Sequence, residues 1–366
     1  MKTAIVHDYL TQRGGAERVL ECLMELYPES RLYVLIHNGK IFPDLKARTS
    51  PAQLLFSPFK TNYTALIPIL PMATKALRVK GAQLVISSSH AFVKNITKPR
   101  DSIHICYCHT PIRYAWEGRE DYMREQHKLF KPMIKILLEW IKRWDKRNSI
   151  NVDYFIANSK NVQRRIKKYY GRDSVVIHPP VDTRRFVPSK SKSANYFLIV
   201  SRLIEYKRVD LAIEVFKRLI GEQLLVIGTG RDQAKLKELA RGYNSIAFKG
   251  FVSDDELVRY YQNADALLHP QLEDAGIACL EAQSCGIPVI AFGKGGALET
   301  IVEGKTGHFF YEQNEASLRN AILEFKKMTF DKVDCRNNAL EYDREVFKRR
   351  IREYVELALN RCFLTI

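Results

Sequence analysis

The chain has no C-x-x-C pair among its seven cysteines, and seven is an odd number. That disfavours a disulfide framework or a cysteine metal site and leads us to expect reduced thiols in a cytosolic protein. Cys106 and Cys108 alternate with Ile105 and Tyr107, as strand residues do. No apolar run approaches the roughly twenty residues that a membrane span needs. The nearest candidate, TALIPILPM, is short and broken by prolines. The opening MKTAIVHDYL reads as a first strand rather than a signal peptide. Proline and glycine, at 14 and 18 residues, are too few for a disordered chain. Acidic residues are missing altogether from Pro51 to Arg100. What is present is a globular composition, 46% apolar over 366 residues, which suits two domains better than one core.

The net charge of +17 is lopsided. Residues 1–185 carry 32 Lys and Arg against 16 Asp and Glu, whereas the remainder carries 26 against 25. Such asymmetry points to a polyanionic partner of the first half: anionic lipid, a lipid diphosphate or nucleic acid. A nucleic-acid module would add exposed aromatics within a recognisable motif. None is found, and nucleic acid is not expected as a partner.

Strand and helix patterns alternate along the chain, which predicts α/β layers with parallel sheets. Strand TAIVHDYL leads through TQRGGAER into an amphipathic helix, with Gly14 and Gly15 at a turn where backbone can approach a ligand closely. Strand SIHICYCHT ends at His109 and runs into the loop holding Arg113, Tyr114 and Trp116. Open α/β sheets place ligands at such strand ends. Residues 124–147 read as one long basic helix with Phe130, Ile134, Leu137, Leu138, Ile141 and Trp144 at helical spacing. It fits either an anionic membrane surface or the core, and Pro132 either begins or kinks it. VPSKSKSAN, residues 187–195, is the polar stretch at which a linker is expected.

The richest segment is Pro270–Thr300, which reads strand, tight loop, helix, strand. Glu273 falls in the loop, Gly276 opens the helix, Glu281 lies further along it, and Gly286 closes it. Free amides and the positive dipole end suit phosphate or sugar hydroxyls. Two carboxylates add charge-assisted bonds worth roughly 1.5–3 kcal/mol each. Earlier, Arg202 and Lys207 follow a strand in a loop, where two cations can neutralise a diphosphate and stabilise it as a leaving group. One hydroxyl-rich, diphosphate-bearing ligand, a nucleotide sugar, would satisfy the amides and both carboxylates, whereas R-x4-K alone carries little.

E-D-x-G-I-x-x-x-E-A, then G-x-P-V-I-A and G-G-x-x-E, resembles the donor-site signature of the retaining family 4 glycosyltransferases of GT-B fold. The resemblance spans nearly the whole chain. It implies two Rossmann-like domains facing across a cleft, with a C-terminal helix packing back on the first. The expected domains are residues 1–186 for the acceptor and 196–345 for the donor, with a tail helix at 346–366. It implies that Glu281 holds ribose hydroxyls and that Glu273 holds sugar hydroxyls with the backbone of Ala275, Gly276 and Ile277. Arg202 and Lys207 would hold the diphosphate, and Gly14, Gly15 and Gly228 would line the donor site. Phe251 and Val252 would lie over the base, and His109 beside the transferred sugar. The implied catalytic set is His109, Arg202, Lys207 and Glu273. Ala275 stands where many members carry Phe, which leaves the sugar open.

Y-C-H-T-P-x-R-Y-x-W is similar to the subset that transfers mannose in bacterial polysaccharide and O-antigen assembly. It implies GDP-mannose as donor, with UDP-sugars an alternative, and Arg113, Tyr114 and Trp116 on the acceptor side. A polyprenyl-diphosphate-linked saccharide is the expected acceptor, with the protein peripheral on the inner face of the cytoplasmic membrane. No D-x-D pair occurs, and neither a metal nor any other cofactor is expected. A non-catalytic nucleotide-sugar-binding scaffold is the other reading.

Overall fold

Alternating apolar runs and amphipathic stretches build two parallel sheets in the computed structural model, which describes residues 1–56, 63–124, 126–189 and 194–363. Seven strands form the first: β1 (Thr3–Leu10), β2 (Arg31–His37), β3 (Arg48–Thr49), β4 (Leu84–Ser89), β5 (Ile103–Cys108), β6 (Tyr154–Ala157) and β7 (Ser174–Val176). Their order is β3-β2-β1-β4-β5-β6-β7. Six form the second: β8 (Phe197–Val200), β9 (Leu224–Ile227), β10 (Ile246–Gly250), β11 (Ala266–His269), β12 (Val289–Phe292) and β13 (Gly307–Phe310). Their order is β10-β9-β8-β11-β12-β13. Every pairing in both sheets is parallel. Both are doubly wound, and the strand order reverses between β1 and β4 and between β8 and β11.

Period-two alternation explains the cores. In the first unit Val6, Tyr33 and Val85 meet Phe92 on one face, while Ile5, Val34 and Ile86 meet Phe347 on the other. The helix Arg344–Phe363 delivers Phe347, Ile351, Val355 and Ala358 to that second face. In the second unit Phe197, Val226, Leu268 and Ile290 pack under the helix Val209–Phe216. Leu198, Leu267 and Val289 pack against the helix Ile277–Ser284.

The units comprise Met1–Pro179 with Phe347–Ile366, and Pro180–Val346. The division therefore falls inside Pro179-Pro180, ahead of the expected linker at 187–195. Phe186 explains the difference: it is fully buried in the second unit's core, and its carbonyl accepts from Arg336 and Ser284. Val187, Pro188, Ala194 and Asn195 are exposed without marking the crossing, and residues 190–193 lie outside the described set.

The expected single helix at 124–147 is also corrected. One helix covers Arg119–Arg124, and the long one is Lys131–Asn148 with Pro132 in its first turn. Proline begins this helix because it has no N–H to lose there. Leu138, Ile141 and Asp145 form its buried face, but Phe130, which shares their helical spacing, is exposed.

Candidate functional site

In the second unit, chemistry gathers where β8 and β11 end. β11 stops at His269, and the next residues turn back before the helix Ile277–Ser284. Gly276 is the N-cap at φ +65°, a left-handed conformation that L side chains resist. The first amides of this helix have no intrahelical acceptor. Ahead of it, the half-buried Glu273 carboxylate is paired with the ammonium of Lys207. The Glu273 carbonyl accepts from the amide of Gly296 at 2.9 Å. A Cβ on Gly295 or Gly296 would collide with the carbonyl of Glu273 or Asp274, so the two glycines let this turn clamp the Glu273 loop. Glu281 is buried further along the helix, where Tyr261 donates to its Oε2 at 2.9 Å.

Lys207 closes a short turn, Glu205–Lys207, after β8 and is itself buried. Arg202 in the same loop is exposed, its guanidinium 3.5 Å from the Tyr206 hydroxyl. Gly228 and Gly230 have a packing reason for lacking side chains. A Cβ on either would overlap the carbonyl of Ser201 or Leu203, so they hold the Arg202 loop from beneath. Phe251 stands exposed after β10, with Val252 half-buried beside it. Ala275 is buried next to Gly276. Glu273, Lys207, Glu281 and the 275–277 backbone therefore gather in one unit, as the motif order predicts.

Two residues there escaped sequence reading. Gln271 Nε2 lies 3.0 Å from His269 Nδ1. Burial, together with the charge of Lys207, pushes the His269 pKa down to about 3, so the ring is neutral. Its Nε2 and the Gln271 Oε1 are buried and have no hydrogen-bond partner among the described residues. The His269 ring edge faces the Gly276 turn, since a Cβ on that glycine would come 3.7 Å from Nε2.

In the first unit the strand ends at the reversal point bring together His7, Asp8, His90 and His109. Gly14 caps the helix Gly15–Leu26, whose first turn buries Glu17 beside His7. Asp8 is a wholly buried carboxylate that accepts five donors. They are the amides of His90, Ala91, Phe92 and Val93 at 2.7–2.9 Å, and the Ser89 hydroxyl at 3.2 Å. Burial raises its pKa, but His90, the Val93 amide, His7 and Lys94 outweigh that and hold it below the usual value. The His109 ring lies 6.3 Å from that of His90 and 5.1 Å from that of Tyr107. Burial, then His90 and His7, holds His109 well below the ordinary histidine pKa.

Of the loop residues beyond His109, two, each partly exposed, pack on neighbouring aromatic rings. Tyr114 packs on Phe92 and Tyr122. Trp116 stacks on Tyr169 at 4.4 Å and donates Nε1 to Asp145 at 2.9 Å. Asp145 is buried and also takes Lys94 at 2.7 Å, Asn95 at 2.9 Å and Tyr170 at 2.6 Å. A buried carboxylate demands such donors, which is what draws Trp116 inward. Among the described residues no three His, Cys, Asp or Glu side chains are set to hold a metal.

Comparison with known proteins covers both units. The family described as Glycosyltransferase Family 4 matches residues 13–185, and the one described as Glycosyl transferases group 1 matches residues 180–342. The GDP-mannose-dependent monoacylated alpha-(1-6)-phosphatidylinositol monomannoside mannosyltransferase of Corynebacterium glutamicum is 32% identical over 41% of this chain and 47% of its own length. The GDP-mannose-dependent alpha-(1-6)-phosphatidylinositol monomannoside mannosyltransferase of Mycolicibacterium smegmatis is 29% identical over 44% of this chain and 49% of its own. The chain thus spans about half the length of the curated relatives it matches. Among solved structures, Anabaena Alr3699/HepE in complex with UDP is similar with a TM-score of 0.70 and 18% identity, over 97% of this chain and 100% of that one. At that identity the likeness is of fold, the GT-B fold of two Rossmann-like units.

Proposed function

Because the chain belongs to glycosyltransferase family 4, we propose that it moves mannose from GDP-mannose to a lipid-linked saccharide in cell-surface polysaccharide assembly, with retention at the anomeric carbon. The observation that carries this reading is the pairing of Lys207 with Glu273 just ahead of the amide end of the helix Ile277–Ser284, which also carries the buried Glu281. A cation, two carboxylates and free amides match a diphosphate, a ribose and a hexose. The mannosyltransferase relatives support the choice of sugar and nucleotide.

In this proposal Arg202 and Lys207 neutralise the diphosphate. Lys207 would exchange its bond to Glu273 for the phosphate, freeing that carboxylate for the sugar hydroxyls beside Ala275, Gly276 and Ile277. Glu281, steadied by Tyr261, takes the ribose, and exposed Phe251 with Val252 offers a surface to the base. His109 serves the transferred sugar, and Arg113 remains for the acceptor. The bond from the anomeric carbon to the diphosphate breaks as the acceptor oxygen bonds to the same face. The acceptor's proton passes to the leaving phosphate oxygen, and the two cations stabilise the developing charge without a metal or other cofactor.

We place the protein on the inner face of the cytoplasmic membrane as a peripheral protein. Among the described residues no helix is long and apolar enough to cross a membrane. Leu129, Phe130, Met133, Ile136 and Trp140 nevertheless form an exposed apolar stripe bordered by Lys131, Lys135 and Arg143, which suits an anionic interface. The UDP bound in Anabaena Alr3699/HepE supports a second reading, a UDP-sugar donor in the same site.

The test is nucleotide release against a panel of sugar nucleotides, with and without lipid extract containing polyprenyl-linked saccharides. GDP released from GDP-mannose only when extract is present is the expected result. Release from a UDP-sugar would move the donor to the second reading. Tight nucleotide binding without turnover in any combination would overturn enzymatic transfer in favour of a binding scaffold.

A further inference from the structure

Ser88 sits between two histidines of the first unit. It pairs in register with His7 across β1 and β4, and its hydroxyl oxygen lies 3.1 Å from His7 Nδ1. The same oxygen lies 2.8 Å from His109 Nε2. On the far side of the His7 ring, Nε2 is 3.7 Å from Glu17 Oε1. His7 and Ser88 are fully buried and Glu17 nearly so, which shields the arrangement from solvent.

A hydroxyl has one proton, so between two ring nitrogens it donates to one and accepts from the other. Glu17 decides which. Burial raises its pKa, but neighbouring His7, then His90, hold it below the usual value, and its Oε1 faces His7 Nε2 at 3.7 Å without a hydrogen bond. A carboxylate facing His7 Nε2 favours the neutral tautomer that has its proton on that nitrogen and Nδ1 bare. Ser88 must then donate to His7 Nδ1, and its oxygen accepts from the Nε2–H of His109.

We infer that Glu17, His7 and Ser88 form a relay of positioning residues that fixes the tautomer of His109, with its proton on Nε2 and its Nδ1 left as a hydrogen-bond acceptor. His109 therefore accepts a proton-bearing group, such as a sugar hydroxyl, and does not donate to an oxygen. This last step rests on the proposed transfer reaction; the relay does not. His90 belongs to the surroundings rather than to the relay. Its ring centroid is 5.7 Å from that of His7, and its Nδ1 is 3.7 Å from Asp8.

The relay is tested by long-range proton–nitrogen NMR on histidine-labelled full-length protein at pH 7, with the His109 signals assigned by their loss in His109→Gln. The expected spectrum shows His109 protonated on Nε2 alone. Ser88→Ala and Glu17→Gln should each convert it to a mixture or to the Nδ1–H form. With GDP-mannose and lipid extract, Ser88→Ala should lower kcat roughly tenfold or more with little change in donor KM, and Ser88→Thr should recover much of it. A wild-type His109 protonated on Nδ1, or a tautomer unmoved by both substitutions, overturns the relay. If the variants fail to fold, the wild-type spectrum decides alone. The expected tautomer with no turnover of any donor would leave the relay standing and remove the transfer reaction.

Discussion

Asp8 shows what one side chain can organise. Its two oxygens cap four consecutive amides after β4 and so hold His90 at the strand ends. Asp8→Asn keeps the shape but turns an NH2 toward amides that need an acceptor. Each orphaned buried donor costs about 1–3 kcal/mol, so a loss of about 3 kcal/mol or more is expected from urea unfolding. A midpoint shift below about 1 kcal/mol would show that the loop holds itself. Nothing in H-D-Y announces this role, because the partners lie over eighty residues away. Glu273 and Glu281 were legible because their motif is local: loop, helix start and carboxylates all fall within thirty residues. His269 was not, since its burial depends on how β11 packs. A strand ending in histidine beside a Gly-capped helix is nonetheless a signal that could have flagged it.

The helix Lys131–Asn148 has two apolar faces, and the spacing singled out chiefly the one that includes Leu138 and Ile141. Leu138 and Ile141 meet the core, while Ile136, 72% exposed, and Trp140 do not. Pairing Ile136→Glu with Trp140→Glu should weaken binding to vesicles containing anionic lipid by roughly tenfold. The melting temperature should barely change, because neither residue is in the core. Unaltered sedimentation with such vesicles would remove the membrane from the proposal. Strand and helix alternation was legible here because parallel strands buried on both faces read as continuous apolar runs. Pro132 was legible only as a pair of options, and its place in the first turn depends on where the preceding chain turns.

Across the whole molecule, several buried histidines are kept neutral. Burial and Lys98 push His104 down to about 4, and His269 lies at about 3. An unfolded chain takes up these protons near pH 6.5 while the folded one does not. Stability is therefore fully present above about pH 6.5 and falls on acidification, by about 1.4 kcal/mol per pH unit for each such histidine until its folded pKa is reached. Urea midpoints should drop between pH 7 and pH 4.5, and His104→Gln should narrow that drop. Equal midpoints at both pH values would contradict the buried neutral state. The two-unit division was legible from length and motif order, but its position was not, because Phe186 reveals its side only through what it packs against.

The first unit is discontinuous: it begins at Met1 yet takes in Phe347–Ile366. During translation, the second unit can close as soon as its own stretch has left the ribosome. The first cannot, for the surface around Ile5, Val34 and Tyr107 waits for Phe347, Ile351 and Val355. A polypeptide interrupted before Phe347 would therefore carry an open hydrophobic flank, marking it for chaperones and proteases, and only a chain read through the helix Arg344–Phe363 can hide that flag.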